Sequence, residues 1–229
     1  MTETRRSNVV IVAGTDTGVG KTWVTAAIAR ALVAEGRRVL TVKPVETGCS
    51  DATRDSEDGV LLARATGQAE PAEALYRFAA PVAAAEAAER EGGMPDFDEM
   101  LVRIETLAAD ADVVLIEGAS GVLSPITWDW NLVDLGQALD ARAVVVALDR
   151  RGTINQTLLT LSALEIGGIP LAAVVLNAPE RPDPSTGSNA GAIARLAGFA
   201  HITIVARTSG DDAAAAALRP VAEALVAHR

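Results

Sequence analysis

A glycine-rich segment between an apolar run and a helix-like pattern is the most constraining feature of this sequence. The apolar run Asn8–Ala13 is followed by Gly14 to Thr22, which reads Gly-Thr-Asp-Thr-Gly-Val-Gly-Lys-Thr, and apolar periodicity resumes at Trp23. Between a strand and a helix, such a loop surrounds a polyphosphate with backbone N–H groups at the positive end of the helix. Lys21 then reaches the outer phosphates and Thr22 a magnesium ion. The segment therefore predicts a nucleotide site in an α/β setting.

The loop is a variant, and lysine is scarce outside it. The strict spacing Gly-x-x-x-x-Gly-Lys would place glycine at position 15, where this chain has Thr15, and Gly14 stands one residue early. A chance Gly-Lys-Thr is the alternative, and it predicts no strand before the loop. The chain has one other lysine, Lys43, among its 20 basic residues. A compact ammonium is therefore a candidate functional group at both lysine positions.

Composition narrows the class of protein. The 229 residues, of which 49% are hydrophobic, are enough for one sizeable core, so we expect a single domain over residues 1–229. A net charge of −10 leaves no basic face for nucleic acid. The single cysteine, Cys49, cannot form an internal disulfide and is expected to be a bystander rather than a nucleophile. The start Met1–Arg6 precedes too brief an apolar stretch for a signal peptide or membrane span, so we expect a cytoplasmic protein.

Short β-branched runs alternate with longer alanine- and leucine-rich segments, which is typical of βαβ units around a parallel sheet. Because the runs are continuously apolar, the strands should be covered on both faces. The predicted strands are Asn8–Ala13, Arg38–Val42, Val113–Ile116, Ala143–Leu148, Leu171–Leu176 and Ile202–Ala206. The predicted helices are Thr22–Ala34, Glu57–Ala65, Phe97–Ala108, Ile154–Ile166, Asn189–Leu196 and Asp211–Ala227.

Four predicted strands end in unusually polar sequences. In an open parallel sheet, ligands bind beyond the carboxyl ends of the strands, so these residues should surround one pocket with the glycine-rich loop. The segments are Lys43–Gly48, Glu117–Gly121, Asp149–Asn155 and Asn177.

Two of these strand ends offer groups for phosphate and magnesium. Lys43 would place a second ammonium near the terminal phosphate, although a solvated lysine is the alternative. Glu117 follows a fully apolar strand and could bind magnesium together with Thr22 and one further carboxylate. Asp58 is our choice for that carboxylate, with Asp55 and Glu57 as competitors. A carboxylate that merely stabilises a helix start is the alternative for Asp58.

The other two strand ends suggest ligand contacts of different kinds. Gly152–Asn155 opens a helix, and its free N–H groups could bind a substrate carboxylate; a simple Thr153 cap is the alternative. Asn177 could contact an adenine edge, or it could be an ordinary turn residue.

Taken in order, these motifs resemble the dethiobiotin synthetase family over nearly the whole chain. The motifs are the loop itself, Lys43-Pro-Val-x-Thr-Gly, Asp58, Glu117-Gly-Ala-x-Gly, Gly152-Thr-Ile-Asn and Asn177. The resemblance implies a three-layer P-loop NTPase-like α/β fold, with helices on both faces of a mostly parallel sheet of six to seven strands. It also implies ATP- and Mg²⁺-dependent carboxylation and ring closure of 7,8-diaminopelargonic acid with CO2 or bicarbonate. The reaction would pass through a carbamate and a carbamic-phosphoric anhydride to dethiobiotin, ADP and phosphate, in a homodimer with the active site at the interface.

The resemblance also implies roles for individual residues. Lys43 and Lys21 would be catalytic, and Thr22, Asp58 and Glu117 would hold magnesium. ATP would contact a larger set that includes these metal ligands: Thr17, Gly18, Val19, Gly20, Lys21, Thr22, Trp23, Asp58, Glu117, Gly118, Ala119, Ser120 and Asn177. The diamine or its carbamate would contact Thr47, and the substrate carboxylate would contact Gly152, Thr153, Ile154 and Asn155.

Some positions depart from the family, and another class of protein competes. Family members commonly have Pro-His where this chain continues from Pro81 into Val-Ala-Ala, and Arg151 and Gln156 replace the usual Leu and His. The competitor is a P-loop ATPase switch of the partition or minicell-protein type that regulates a partner. Such switches typically carry a lysine five residues before the loop lysine, where this chain has Asp16. A cobyrinate-type ligase would need an additional glutaminase portion.

Overall fold

The alternating runs of the sequence form the strands and helices of an α/β fold. A computed structural model describes residues 8–227; residues 1–7, which include the start Met1–Arg6 that was considered as part of a signal peptide, and residues 228–229 lie outside it. The strands are β1 (Asn8–Gly14), β2 (Val39–Val42), β3 (Val45–Thr47), β4 (Tyr76–Phe78), β5 (Val113–Gly121), β6 (Arg142–Leu148), β7 (Leu171–Asn177) and β8 (Ile202–Val205). The α-helices are α1 (Lys21–Ala34), α2 (Asp58–Thr66), α3 (Ala84–Glu91), α4 (Phe97–Ala108), α5 (Leu132–Ala138), α6 (Thr153–Ile166), α7 (Asn189–Ala197) and α8 (Asp211–Ala227).

Six strands form one parallel sheet in the order β2-β5-β1-β6-β7-β8. Strand β1 lies inside the sheet, with β5 on one side and β6 on the other. The chain goes from β1 to the β2 edge and later returns past β1 to build β6, β7 and β8 on the opposite side. Because the connections diverge at β1, a crevice opens beyond its carboxyl end, where ligands bind in folds of this type.

Successive residues of β1 pack into two separate apolar layers. Val10 and Val12 pack with α1 and α8, whereas Ile11 and Ala13 pack against the layer that contains α4 and α5. All four residues are fully buried. Since alternate side chains of a strand point to opposite faces, helices on both faces explain why the runs are continuously apolar. The predicted three-layer architecture and six-stranded parallel sheet are confirmed.

Two strands and two α-helices within residues 8–227 were not predicted, nor was a 3-10 helix at Arg54–Ser56, and β5 was predicted much too short. Strands β3 and β4 have three residues each, too few for a periodic signal, and α3 buries only alanines. Helix α5 is seven residues long and contains a glycine. Strand β5 continues beyond Ile116 to Gly121, so Glu117 lies within a strand instead of following one. Among residues 8–227, no helix is long and apolar enough to cross a bilayer.

The short strands β3 and β4 form a parallel ribbon beside the main sheet. The pairing begins just before the ribbon, where Lys43 O accepts a hydrogen bond from Leu75 N at 2.9 Å and Pro44 O accepts one from Tyr76 N at 3.1 Å. This pairing carries the segment from Lys43 to Thr47 away from the end of β2 and toward the start of α2. The ribbon therefore brings the polar segment Lys43–Gly48 to the start of α2, where Glu46 accepts hydrogen bonds from Asp58 N and Gly59 N.

Candidate active site

The glycine-rich loop connects β1 to α1 and needs glycine at two positions for different reasons. Gly20 has a φ of 90°, and a Cβ there would lie 2.6 Å from Asn177 Nδ2. A Cβ at Gly14 would lie 2.8 Å from Asp16 O and 3.0 Å from Lys21 Cδ. Glycine at position 14 therefore gives the Lys21 side chain room to run back over the loop, which explains the variant spacing.

Lys21 is the first residue of α1, and its side chain is buried inside the loop. Its residue exposure is 6%, and Nζ donates to Asp16 O at 3.4 Å. Burial lowers the pKa of Lys21, and repulsion by the Lys43 ammonium lowers it further, against the opposing attraction of Glu117 and Asp58. The charge of Lys43 therefore affects the pKa of Lys21, so the two ammonium groups lie near each other. Two ammonium groups in this arrangement could bind the same anionic ligand.

Lys43 extends from the end of β2 into a buried position between two carboxylates. Its Nζ donates to Asp58 Oδ2 at 2.6 Å, to Glu117 Oε1 at 2.8 Å and to Gly118 O at 3.4 Å. The side chain is 1% exposed, so the alternative of a solvated lysine is wrong. Burial alone would lower the pKa of Lys43, but Glu117 and Asp58 outweigh it, and the net shift is upward. The ammonium therefore remains charged.

The same carboxylates also meet the hydroxyl of Thr22. Thr22 Oγ1 lies 2.7 Å from Asp58 Oδ1 and 2.8 Å from Glu117 Oε1. Burial would raise the pKa of Asp58, but Lys43 and the hydrogen bonds lower it below its ordinary value. Glu117 Oε2 is buried with no hydrogen-bond partner among the described residues. We call Thr22, Lys43, Asp58 and Glu117 the Lys43 cluster. The atoms in it that could bind a metal are all oxygens, one of them without a hydrogen-bond partner within the described part of the chain, and such oxygens suit Mg²⁺.

The competing carboxylates for this cluster bind elsewhere. Asp55 is exposed, and its Oδ1 pairs with Arg64 at 2.5 Å. Glu57 accepts two hydrogen bonds from Arg77, at 2.7 and 2.8 Å. The structure therefore brings Asp58, and neither competitor, to Thr22 and Lys43. Since the Asp58 carboxylate contacts Thr22 and Lys43, the alternative that it merely stabilises the start of α2 is wrong.

A cavity of about 450 Å³ is lined by the C-terminal end of β5 and by Thr17 of the glycine-rich loop, and we call it the β5 cavity. Its walls carry hydroxyl groups and apolar side chains and no charged residue, so it suits an aliphatic chain with polar groups at one end. At the loop, Thr17 Oγ1 lies 2.9 Å from Ser120 Oγ. The lining residues are Thr17, Thr47, Pro81, Val82, Ala83, Ala84, Gly118, Ala119, Ser120, Gly121, Ser124, Pro125, Ile126 and Leu132.

A second cavity, of about 270 Å³, lies between the loop and the ends of β7 and β8, and we call it the β7–β8 cavity. Asn177 and Trp23 are among its lining residues. Asn177 Nδ2 donates to Val19 O at 2.8 Å, while its Oδ1 is buried without a partner in the described chain. Asn177 is the last residue of β7 rather than a turn residue. The unpaired acceptor, together with the apolar surface of Trp23 and Leu148 in a lining that also includes Arg207 and Thr208, suits a flat base with an amino group.

Gly152–Asn155 opens a helix, as predicted, but lies apart from the cavities described here. Gly152 is the N-cap of α6 with a φ of 90°, and Thr153 is the first helical residue. Thr153 is fully buried, and its Oγ1 has no partner within residues 8–227, so the alternative of a Thr153 cap is wrong. Gly152 and Asn155 are exposed. Neither the β5 cavity nor the β7–β8 cavity includes any of the four residues.

Sequence reasoning missed Glu46, which lies between Lys43 and Thr47 but contacts α2. Its carboxylate accepts hydrogen bonds from Asp58 N at 2.5 Å and from Gly59 N at 2.9 Å. Burial raises the pKa of Glu46, although the two N–H groups favour the charged form. Its place in a polar motif was a signal, but its role depends on the position of α2, which the sequence does not show.

Comparison with known proteins identifies both the fold and the relatives of the chain. The family model described as "AAA domain" matches residues 8–212. Among solved structures, the MinC:MinD cell division complex of Aquifex aeolicus superimposes with a TM-score of 0.61 at 15% identity, covering 97% of each chain. The Mg-ADP complex of septum site-determining protein MinD from Pyrococcus horikoshii gives 0.58 at 17% identity and 96% of each chain. At these identities the likeness shows the fold alone.

Sequence relatives are much closer. An ATP-dependent dethiobiotin synthetase from Anaeromyxobacter dehalogenans (strain 2CP-C) is 43% identical over 191 residues, which cover 82% of this chain and 84% of the relative. Proteins of the same name follow from Mycobacterium sp. (strain JLS), at 36% over 83% of this chain and 84% of the relative, and from Rhodopirellula baltica, at 34% over 89% and 86%.

We expect Lys43 to contribute to the stability of the folded protein, because it separates two carboxylates. Replacing Lys43 with methionine leaves Asp58 and Glu117 facing each other without a cation, so the free energy of unfolding should fall by about 3 kcal/mol at neutral pH. Urea denaturation measures this change. Arg38→Met is the control, because it removes a cation from an ion pair with Asp112 in which the Arg38 side chain is 61% exposed. An equal loss in both variants would contradict the account.

Proposed function

The chain belongs to the family of ATP-dependent dethiobiotin synthetases, and from that premise we propose how its residues act. The reaction uses ATP to close the ureido ring of dethiobiotin from 7,8-diaminopelargonic acid and CO2, with ADP and phosphate as the other products. One observation supports the residue assignments above all: Lys21, Thr22 and Asp58 line one cavity at the glycine-rich loop. Lys43 and Glu117 contact Asp58 and Thr22 there, and Ala119 belongs to both this cavity and the β5 cavity. The whole chain acts as a single synthetase domain.

ATP lies along the glycine-rich loop. Backbone N–H groups from Thr17 to Thr22 surround its phosphates at the start of α1. The adenine occupies the β7–β8 cavity, where Asn177 Oδ1 accepts a hydrogen bond from the exocyclic amino group and Trp23 supplies an apolar wall. Gly118–Ser120 bounds the other side of the phosphate region, because Ala119 lines the same cavity as Lys21 and Thr22.

Magnesium would be held by Thr22, Asp58 and Glu117, whose oxygens already lie together and include one unpaired, buried carboxylate atom. When bound, the ion would neutralise negative charge on the triphosphate. The role of the chain is to fix these oxygens, and Lys43 keeps two like charges together until the ligand arrives.

The diamine lies in the β5 cavity, with its aliphatic chain along the apolar wall and its amines toward the loop. One amine adds to CO2, and the resulting carbamate contacts Thr47. The carbamate oxygen then attacks the γ-phosphorus as ADP leaves, and the second amine displaces phosphate from the carbonyl carbon to close the ring. Lys43 and Lys21 stabilise the negative charge on the carbamate and the transferring phosphoryl group. This chemistry needs orientation and charge rather than a protein nucleophile.

A homodimer completes the site. Gly152–Asn155 binds the substrate carboxylate of the partner's active site through N–H groups at the start of α6. The outer face of α6 supports this arrangement, because Leu159 and Ile166 lie two turns apart on one side of the helix and are 64% and 88% exposed. An apolar helix face of this kind suits contact with a second copy of the chain. We expect the enzyme to be cytoplasmic, where ATP and its substrate are available, and to bind no nucleic acid.

The competing function, a regulatory ATPase switch, has weaker support. The likeness to MinD extends to the fold at 15–17% identity, whereas synthetases match at 34–43%. The chain also has Asp16 at the position where such switches typically carry a second lysine. A switch has no need of the uncharged β5 cavity.

A product assay tests the function. Purified protein is incubated with 7,8-diaminopelargonic acid, ATP, Mg²⁺ and ¹³C-bicarbonate, and the products are separated by mass. Dethiobiotin should form with one heavy carbon per ring, in step with ADP, and the Lys43→Met variant should form none. Phosphate release without ring product would reject the assignment.

Exchanging Lys43 for arginine separates chemistry from binding. Arginine keeps the charge but cannot place a compact ammonium between Asp58 and Glu117, so turnover should fall by about tenfold or more while ATP affinity stays nearly unchanged. Steady-state kinetics and calorimetry measure the two quantities. Arg38→Lys, the reverse exchange in an exposed ion pair, should alter neither. Equal loss of affinity and turnover would move Lys43 from catalysis to binding.

A charge on the outer face of α6 should separate the subunits. In Leu159→Glu, each copy would bury a carboxylate in the interface, so sedimentation should show a monomer and KM for the diamine should rise about tenfold or more. Val102→Glu is the matched control on α4, because Val102 is similarly exposed at 62%. A dimer that survives the Leu159 change with unaltered KM would contradict the proposed interface.

A further inference from the structure

We propose that Glu46 is a positioning residue that holds the metal ligand Asp58 in place and joins it to the segment that contacts the substrate. This inference rests on the proposed function, because it takes Asp58 to be a magnesium ligand. Glu46 is not a member of the phosphate loop, the lysine pair or the metal ligand set. It acts through the backbone of α2.

The contacts of Glu46 place it at the start of α2. Oε1 accepts from Asp58 N at 2.5 Å and Oε2 from Gly59 N at 2.9 Å, so both oxygens bind the first two N–H groups of the helix. The residue is 8% exposed. The first N–H groups of a helix have no partner inside it and carry partial positive charge, so a buried carboxylate is well matched to them. The backbone of Asp58 is thereby fixed.

Two neighbouring contacts further restrict the position of the start of α2. Arg77 is the direct partner of Glu46 in the β3–β4 ribbon, and its guanidinium binds both oxygens of Glu57, the N-cap of α2. Gly59 lies against the chain at Ala74, because a Cβ there would lie 2.3 Å from Ala74 N. Two residues paired across the ribbon, Glu46 and Arg77, thus hold the N-cap Glu57 and the first two residues of α2.

The position of Glu46 in the chain links the start of α2 to the residues proposed to act on the substrate. It lies three residues after Lys43 and one before Thr47, so one short segment contains a catalytic residue, a positioning residue and a substrate contact. Mg²⁺ requires near-ideal octahedral geometry, so a small displacement of Asp58 weakens binding. Residues that orient metal ligands commonly change metal affinity by about 10- to 100-fold when replaced.

A plain helix cap is the competing explanation, and it makes a different prediction. A cap adds stability and would leave the affinity of the folded protein for metal unchanged. The experiment therefore measures Mg²⁺ binding in folded protein. Mg²⁺ is titrated by calorimetry into protein saturated with ADP, and the affinity for ADP is measured separately in EDTA. The variants are Glu46→Ala, Glu46→Gln, Asp58→Asn and, as a matched cap control, Asp96→Ala.

Asp96 is a suitable control because its side chain caps α4 by accepting from Glu99 N at 2.8 Å, without contact to the Lys43 cluster. We expect Glu46→Ala to weaken Mg²⁺ binding about tenfold or more. Glu46→Gln, which keeps one acceptor oxygen, should cause a smaller loss. ADP affinity in EDTA should stay within about twofold in every variant, because the glycine-rich loop is untouched. Asp96→Ala should lower stability alone.

The outcomes separate this inference from the function beneath it. If Asp58→Asn weakens Mg²⁺ binding and Glu46→Ala and Glu46→Gln do not, Glu46 is only a cap and the inference is overturned while the proposed metal site stands. If Asp58→Asn leaves Mg²⁺ binding unchanged, the metal site itself is wrong and the inference falls with it. Should Glu46→Ala fail to fold, Glu46→Gln decides, and wild-type Mg²⁺ affinity in that variant would overturn the proposal.

Discussion

The ion pairs of the buried Lys43 with Asp58 and Glu117 are the interaction on which the site depends. Asp58 and Glu117 lie 2.6 and 2.8 Å from the ammonium; Glu117 is fully buried, whereas the Asp58 side chain is 38% exposed. Burying the Glu117 carboxylate without the ammonium, or the ammonium without its carboxylates, would be costly. The three residues come from the end of β2, the start of α2 and the middle of β5. Thr22 joins α1 to the same oxygens. The ion pairs of Lys43 and the hydrogen bonds of Thr22 therefore hold the end of β2, the start of α2, the middle of β5 and the start of α1 together beside the phosphate loop.

This arrangement needs the sheet to bring its components close. Because β1 lies between β5 and β6, the phosphate loop that follows β1 emerges beside Glu117 on one side. The β3–β4 ribbon then returns the chain from Lys43 to α2, where Glu46 and Arg77 hold the helix start. The β7–β8 cavity and the β5 cavity both border the loop, the first at Gly18–Gly20 and the second at Thr17. The synthetase thus uses a common nucleotide-binding fold and adds a short ribbon to position its second lysine.

The sequence predicted the long, strongly apolar elements well because their signal is local. All six strands of the main sheet were found, and so were six of the eight α-helices within residues 8–227; α3 and α5 were missed. The membership of the chain in the dethiobiotin synthetase family is confirmed by its relatives. The strands β3 and β4 were missed because three residues carry no period. The pairing of Lys43 with two carboxylates was also missed. Each of these residues was singled out, but their contact depends on long-range packing that a local pattern cannot show.

The most direct test of the account is a crystal structure with a nonhydrolysable ATP analogue, Mg²⁺ and 7,8-diaminopelargonic acid. Nζ of Lys21 and Nζ of Lys43 should both lie about 3 Å from oxygens of the terminal phosphate or of the carbamate formed on the diamine. The ion should contact Thr22, and Asp58 and Glu117 should surround it directly or through water. A structure in which the two ammonium groups face different ligands, or in which the diamine lies outside the β5 cavity, would contradict the account.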